Sequence, residues 1–297
     1  MNIKFNPLIS IVIPTFNHAN YLSKALQSVL HQTYTNWEAI VIDNHSTDDT
    51  GKVINKFNDH RINYLKIQNN GVIAKSRNIG INSAKGDWVA FLDSDDLWTN
   101  NKLKTCIESI NNQVDLIYHD LEVTSNRRIF FKGKINKTRQ LKKPVLIDLL
   151  VNGNAISNSS VIVRKKILIE IGLMDENKEL IAAEDYNTWL KISNFTDQFL
   201  YLPKKLGYYY IHHEGISQKD MSIPTQKATQ DFLHILNNKQ KKKIEANIKY
   251  ISGRFNYLNF NYNQAKKDLL FVLKSSSFKL RLKSLIMIVH ILISFNR

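Results

Sequence analysis

The sequence predicts an α/β fold, a mostly parallel sheet flanked by helices, with a helical appendage at its C-terminal side. Over residues 9–92, short β-branched apolar runs alternate with amphipathic stretches of helical spacing. Such alternation is typical of parallel strands joined by right-handed helical crossovers. From about Pro224 onward strand patterns disappear and helical spacing takes over. We therefore expect an α/β domain over residues 1–220 and a basic, helical region over residues 221–297.

The first part of the chain predicts four strands with three helices between them. The strands are apolar runs with the length of strands buried on both faces. They cover residues 9–14, 37–42, 63–67 and 88–92. Apolar residues three and four apart predict helices over 21–33, around Val53 and over 72–84. Because parallel strands end at one edge of a sheet, the loops that follow them should meet there.

The second part of the predicted domain is less regular. Its pieces are a helix over 100–112, a strand over 115–118, a basic hairpin or flap over 121–143, apolar segments over 145–151 and 161–171, and a strand-rich stretch over 208–213. The carboxylate pair Glu184 and Asp185 precedes an amphipathic helix. Such a pair can serve a site or can simply cap the helix N-terminus.

Composition limits the class of protein. The chain has 41 basic and 26 acidic residues, a net charge of +15, which favours phosphates, nucleic acid or an acidic membrane as partners. Cys106 is the only cysteine, so no intramolecular disulfide can form. Residues 1–8 lack the features of a signal peptide, and the apolar run 285–293 is too short to span a bilayer. We expect a cytoplasmic protein.

Three carboxylates follow the fourth predicted strand. Asp93, Asp95 and Asp96 come directly after the apolar run Trp88–Leu92. Carboxylates this close repel one another, and a divalent cation with oxygen ligands would relieve the repulsion. Such an ion could take the two phosphates of a nucleoside diphosphate as further ligands. The alternative is a solvated turn that caps the following helix.

Polar residues also follow the other predicted strands. Thr15 and Asn17 follow the first, Asp43 follows the second, and Arg77 lies on the third helix. A carboxylate suits a base or ribose, and a guanidinium suits a phosphate. Asp43 as a turn residue and Arg77 as a surface charge are the alternatives. The chain has no glycine-rich phosphate loop, so a metal ion would have to bind the diphosphate.

Taken in order, several short motifs resemble the glycosyltransferases of family 2, which have the GT-A fold. The stretches that carry the resemblance are Ile11–Asn17, Tyr21–Leu22, Ser28–Tyr34, Ile42–Asp48, Ser76–Gly80, Phe91–Asp96 and Ala183–Tyr186. The resemblance is dense over residues 8–105 and returns over 172–191. It implies a GT-A catalytic domain over residues 1–220 that transfers a sugar from a nucleotide-diphosphate donor to a hydroxyl, with inversion at the anomeric carbon.

The resemblance also implies roles for individual residues. The nucleotide-binding residues would be Thr15, Asn17, Asp43, Arg77 and Asp93. Asp93 and Asp95 would hold Mg²⁺ or Mn²⁺, and Asp185 would be the catalytic base. Glu184 and His213 would be acceptor or phosphate contacts, and His213 could instead be a third metal ligand or an ordinary core or surface histidine.

The chain departs from the family pattern in two places. Asp43-Asn44-His45-Ser46 stands where Asp-Asp-Gly-Ser is common, so Asp43 is retained and the second Asp and the Gly are not. Ile211 stands where the family's Tyr-Arg-x-His stretch has its Arg.

Two other classes of protein share parts of this pattern. A sugar-phosphate nucleotidyltransferase would carry a glycine-rich N-terminal loop with a catalytic Arg or Lys, which Pro14–Asn17 lacks. A nucleic-acid-binding protein is suggested by the net charge, but the basic stretches 127–143 and 239–283 lack the aromatic stacking pattern of such proteins. The expected partners are therefore a nucleotide-diphospho-sugar donor and a glycan or lipid-linked acceptor of bacterial cell-surface polysaccharide or lipid-linked oligosaccharide synthesis.

Residues 266–297 combine basic and apolar side chains in a way typical of a helix that lies in an anionic membrane surface. The basic residues are Lys266, Lys267, Lys274, Lys279, Arg281, Lys283 and Arg297. A protein held in this way would be peripheral on the inner face of the cell membrane. The alternative is that the apolar stretch packs on the catalytic domain or on a second subunit.

Overall fold

The computed structural model describes residues 6–125, 135–136, 138–211 and 219–295. The strands are β1 Ile9–Thr15, β2 Trp37–Asp43, β3 Ile62–Lys66, β4 Trp88–Phe91, β5 Leu97–Trp98, β6 Leu116–Ser125, β7 Ile135–Asn136, β8 Ile162–Arg164 and β9 Phe199–Ile211. The helices are α1 Ala19–Leu30, α2 Thr50–Lys56, α3 Ile73–Ser83, α4 Lys102–Glu108, α5 Val145–Asn152, α6 Lys165–Glu170, α7 Glu184–Phe195, α8 Ser222–Gln230, α9 Asn238–Leu258, α10 Tyr262–Ser275 and α11 Phe278–Phe295.

All strands belong to one sheet of order β3-β2-β1-β4-β8-β6-β9-β5, with β7 paired to β6. The first four strands are parallel, and β6 and β9 are parallel to each other. β8 runs antiparallel between β4 and β6. The predicted α/β fold with flanking helices and C-terminal helices is confirmed. Parallel order is unbroken only across β1 to β4, because the short strand β8 enters the sheet in the opposite direction.

Two predicted elements have different lengths in the structure. The strand predicted over 115–118 continues to Ser125, because β6 pairs with β9 along its length and with β7 near its end. Within the hairpin or flap expected over 121–143, β7 pairs antiparallel with β6, and residues 126–134 and 137 lie outside the described residues. The helix predicted over 100–112 is shorter, from Lys102 to Glu108.

The sheet has an apolar core on each face. Along β1, Val12 packs with residues of α3, α5 and α7, whereas Ile11 and Ile13 pack with residues of α1 and α4. Gly80 lets α3 lie directly on β1, since a Cβ at this position would be 2.6 Å from Cγ1 of Val12. This close approach fixes α3, and with it Arg77 one turn earlier, beside the carboxyl ends of the strands.

The C-terminal helices pack in two groups. Ala228 of α8 and Ile244 of α9 belong to the same apolar core as α5 and α7. Ala265 and Leu269 of α10 form a separate cluster with α11. Among the described residues, no helix has the length and apolarity that crossing a membrane requires. The division of the chain at residue 220 stays a prediction.

Candidate active site

A cavity of about 880 Å³ opens at the carboxyl ends of the parallel strands, a volume in the range of small-molecule sites. Its wall is formed by the loop after β1, the start of α3, the loop after β4, residues 154–158, the start of α7 and the end of β9. The sequence-predicted residues that line it are Thr15, Asn17, Arg77, Asp93, Asp95, Glu184 and Asp185. The expected meeting of the strand ends is therefore present in the structure.

Thr15 and Asn17 contribute differently to the loop after β1. The Thr15 hydroxyl is buried and has no hydrogen-bond partner among the described residues, and Thr15 is part of the cavity wall. Asn17 has a left-handed backbone, with φ of 51°. Its side-chain oxygen accepts a hydrogen bond from the Thr47 N–H at 2.8 Å, and its own N–H donates to the Ser46 hydroxyl at 2.8 Å. Asn17 thus ties the loop after β1 to the loop after β2.

Asp43 does not line the cavity, although the neighbouring Asn44 does. Its carboxylate is fully buried and accepts hydrogen bonds from the Ser46 N–H at 2.9 Å and from the Tyr64 hydroxyl at 2.6 Å. Burial, together with this hydrogen bond to Asp43, raises the pKa of Tyr64 to about 12, so Tyr64 remains a donor. Asp43 therefore shapes the loop that forms the cavity wall.

Arg77 bridges two carboxylates beneath the cavity. Its Nη1 donates to Oε1 of Glu184 at 2.5 Å and its Nη2 donates to Oδ1 of Asp93 at 2.8 Å. The side chain is almost fully buried. Burial acts to lower the pKa of Arg77, but the charges of Asp93 and Glu184 outweigh it and raise the pKa. The guanidinium is therefore permanently charged, and its fork is directed at protein carboxylates.

The three carboxylates after β4 lie in different surroundings. Asp93 accepts hydrogen bonds from Arg77 and from the Asn158 side chain at 2.9 Å. Asp96 is buried and accepts from the Tyr210 N–H at 3.0 Å. Burial, with the charges of Asp95 and Asp93, raises the pKa of Asp96. Asp93 and Asp95 are the two predicted metal ligands that face the cavity.

Glu184 and Asp185 begin α7 on the opposite wall. Asp185 accepts a hydrogen bond from the Tyr186 N–H at 2.6 Å. Desolvation and the adjacent charge of Glu184 raise the pKa of Asp185 to about 7, and Arg77 partly opposes this rise. A carboxyl that titrates near neutrality is suited to accept a proton from a substrate.

Several cavity residues were not predicted from the sequence. Asn158, which fixes Asp93, lies in the polar run 157–160 before β8, and no motif or periodicity marks it. Tyr210 and Ile211 line the cavity because β9 ends there. The strand-rich stretch 208–213 was the sequence signal for this part of the cavity. His213, the contact predicted within it, lies outside the described residues.

Comparison with known proteins identifies the family of this chain. A UDP-Glc:α-D-GlcNAc-diphosphoundecaprenol β-1,3-glucosyltransferase of Escherichia coli, WfgD, is 32% identical over 186 residues, 62% of this chain and 69% of that relative. The structure of Staphylococcus aureus TarS 1–349 in complex with UDP-GlcNAc matches with a TM-score of 0.64 and 21% identity, over 92% of this chain and 82% of that chain. The mannosyltransferase PcManGT of Pyrobaculum calidifontis, in complex with GDP-Man and Mn²⁺, matches with a TM-score of 0.61 and 15% identity, over 93% of this chain and 78% of that chain.

The extent of these matches differs. The chain spans 31% to 70% of the length of the curated relatives that it matches. The likeness to the two solved structures supports the GT-A fold. Residues 10–172 match the model of the family described as Glycosyl transferase family 2, and the chain therefore belongs to glycosyltransferase family 2 and is a glycosyltransferase.

Proposed function

We propose that the protein transfers a sugar from a nucleotide-diphosphate donor to a hydroxyl acceptor, with metal assistance and inversion at the anomeric carbon. The observation that carries the proposal is the Arg77 bridge, which joins Asp93 at the end of β4 to Glu184 beside Asp185. It connects the strand ends, where a donor would bind, with a carboxylate on the opposite wall. A direct displacement needs donor and base held in one fixed geometry.

The nucleotide is assigned to the part of the cavity beside the loop after β1. Thr15 has an unpartnered hydroxyl there, and Asp93 lies at the adjoining strand end with Arg77 of α3 bonded to it. Asn17 and Asp43 act on the nucleotide through the loop that they hold in place. The name of the E. coli relative includes UDP-Glc, and the TarS structure contains UDP-GlcNAc, which supports a UDP-sugar donor.

Asp93 and Asp95 are the residues that would hold Mg²⁺ or Mn²⁺. Their carboxylates suit a hard cation. Within the described residues, no group of three or more His, Cys, Asp or Glu could hold a metal ion by itself. Two carboxylates suit an ion that also takes donor phosphates and water as ligands. When bound, the ion would neutralise charge on the departing diphosphate. Mn²⁺ in the mannosyltransferase structure supports the use of a divalent metal ion.

Asp185 is the proposed base. As the acceptor oxygen forms its bond to the anomeric carbon, the bond from that carbon to the diphosphate oxygen breaks, and the acceptor proton passes to an Asp185 carboxylate oxygen. Attack from the face opposite the diphosphate inverts the anomeric centre. Arg77 holds Glu184, so we assign Glu184 to positioning Asp185 and to raising the pKa of Asp185.

The proposed acceptor is a lipid-linked oligosaccharide or cell-surface polysaccharide intermediate. The E. coli relative's name includes a diphosphoundecaprenol-linked sugar, which supports this class. The reaction would then take place in the cytoplasm, at the inner face of the cell membrane.

The experiment is a screen of UDP- and GDP-sugars by thermal shift with and without Mn²⁺, followed by product analysis of the donor that stabilises the protein. Sugar transfer should release a nucleoside diphosphate. Release of pyrophosphate, or stabilisation by no nucleotide sugar, would contradict the proposal.

A further inference from the structure

Helix α11 has two apolar faces, and only one of them is used inside the protein. Ile288 and Ile291 are buried and form an apolar cluster with Ala265 and Leu269 of α10. Ser284, one turn before Ile288, is also buried. These residues are three and four apart, so they form the face that attaches α11 to the rest of the chain.

The opposite face of α11 is an exposed apolar stripe. Its members are large, apolar and open to solvent, and they also recur at three- and four-residue spacing. They are Phe278, Leu282, Leu285, Ile286, Val289 and Ile293. Phe278 is 82% exposed and Ile286 is 61% exposed. A surface stripe this apolar usually marks an interaction site.

The charge beside this outer stripe has a single sign. Lys279, Arg281 and Lys283 are exposed, and at 100° per residue the two lysines lie on one side of the stripe and Arg281 on the other. The sequence has no Asp or Glu after Asp268. An anionic partner would therefore meet apolar area and positive charge on one surface.

We propose that the outer stripe of α11 binds an anionic lipid bilayer surface, with the helix lying flat in the headgroup region. A helix whose inner face is held by α10 can insert only its outer face, which is how an interfacial helix binds. Pairing of two copies through this stripe would instead bring their basic residues together. The cavity wall includes no residue of α11, so membrane binding by this surface can be tested separately from the proposed sugar transfer.

Vesicle sedimentation of the full-length chain tests the proposal. Wild type should pellet with vesicles containing phosphatidylglycerol, pellet weakly with pure phosphatidylcholine, and be released by high salt. The triple variant Lys279→Gln/Arg281→Gln/Lys283→Gln should bind phosphatidylglycerol vesicles on the order of 100-fold more weakly, because each basic residue near the surface strengthens binding about fivefold.

A charge-matched control separates a specific surface from general attraction. Lys56, Lys66 and Lys85 are exposed and lie outside α11, so their triple Gln variant removes the same charge. It should bind nearly as wild type does. If both triple variants lose the same affinity, net charge alone is responsible and the proposal is wrong.

An apolar pair of variants completes the test. Ile286→Ser should weaken binding to phosphatidylglycerol vesicles even at low salt, whereas Ile223→Ser, at a residue of α8 that is 68% exposed, should not. Analytical ultracentrifugation without vesicles tests the alternative, in which a second copy of the chain covers the stripe. A wild-type dimer that Ile286→Ser dissociates would overturn the membrane assignment, as would equal binding of wild type to neutral vesicles.

Discussion

Arg77 and Glu184 form a buried ion pair, with Nη1 and Oε1 2.5 Å apart, although 107 residues separate them in the sequence. The other arm of the same guanidinium holds Asp93. Asp185 follows Glu184 directly, and its pKa responds to both members of the pair, since Glu184 raises it and Arg77 lowers it. The pair therefore links the proposed donor side to the protonation of the proposed base.

Substitutions of the two partners should shift the pH profile in opposite directions. Arg77→Gln removes the charge that lowers the pKa of Asp185, so the acid limb of kcat/KM should move to higher pH. Glu184→Gln removes a charge that raises it, so the limb should move to lower pH. Arg61→Gln, which breaks an ion pair with Asp59 outside the cavity, is the control and should not move the limb. Shifts in the same direction would contradict the proposed coupling.

Wild-type activity should fall as the pH is lowered through neutrality. The pKa of Asp185 is raised to about 7, and a base must be deprotonated to accept a proton. Below that pKa, kcat/KM should decrease about tenfold per pH unit. The measurement is kcat/KM across pH with a donor and acceptor that do not titrate in this range. A flat profile through neutrality would contradict a base whose pKa is raised to about 7.

Asp95→Asn should remove most of the activity without unfolding the protein. Asp95 faces the cavity and is a proposed metal ligand, and an amide binds a hard cation more weakly than a carboxylate. EDTA should abolish wild-type transfer, and added Mn²⁺ or Mg²⁺ should restore it. Asp87→Asn, at an exposed residue outside the cavity, is the matched control. Normal turnover of the Asp95 variant, or activity in EDTA, would contradict the metal assignment.

Lys102→Met should stabilise the protein, and the gain should shrink as the pH rises. Lys102 is fully buried, and its Nζ has no hydrogen-bond partner among the described residues. Burial lowers its pKa from 10.5 to about 7, despite the Trp98 ring 3.6 Å from Nζ. Between these values the unfolded chain binds a proton that the folded chain does not, so wild-type stability rises with pH across this window. At and below the pKa that Lys102 has in the folded protein, its buried charge lowers the free energy of unfolding most.

Urea unfolding at about pH 6.5 and about pH 8.5 measures this effect through the difference between variant and wild type. Lys104→Met on the same helix is the control, because the Lys104 side chain is 55% exposed. A gain for Lys102→Met that is independent of pH would show that Lys102 is not deprotonated on folding.

The sequence predicted the first half of the fold well, because its strands and helices follow clear periodicities. Ile11 and Val12 belong to cores on opposite faces of the sheet, and such two-sided burial produces the continuous apolar runs that mark strands. β8 was not separated from its surroundings, since three residues in an apolar segment carry no periodic signal.

The site was predicted as a set of residues more reliably than as a set of contacts. Residue type and strand position indicated that Asp93 and Asp95 would face the site, the family resemblance added Asp185, and all three line the cavity. These signals could not indicate that Asp43 is turned toward Tyr64, because that contact depends on how β2 pairs with the neighbouring strand β3. The Arg77 contact to Glu184 likewise depends on tertiary packing across the cavity.

The most direct test of the proposed transfer mechanism is the Asp185→Asn variant, assayed in parallel for donor binding and for sugar transfer. We predict that the donor that stabilises wild type also stabilises the variant to the same extent, while transfer falls by about 10²-fold to 10⁴-fold. Transfer at the wild-type rate, or loss of donor binding with the fold intact, would contradict the assignment of Asp185 as the base.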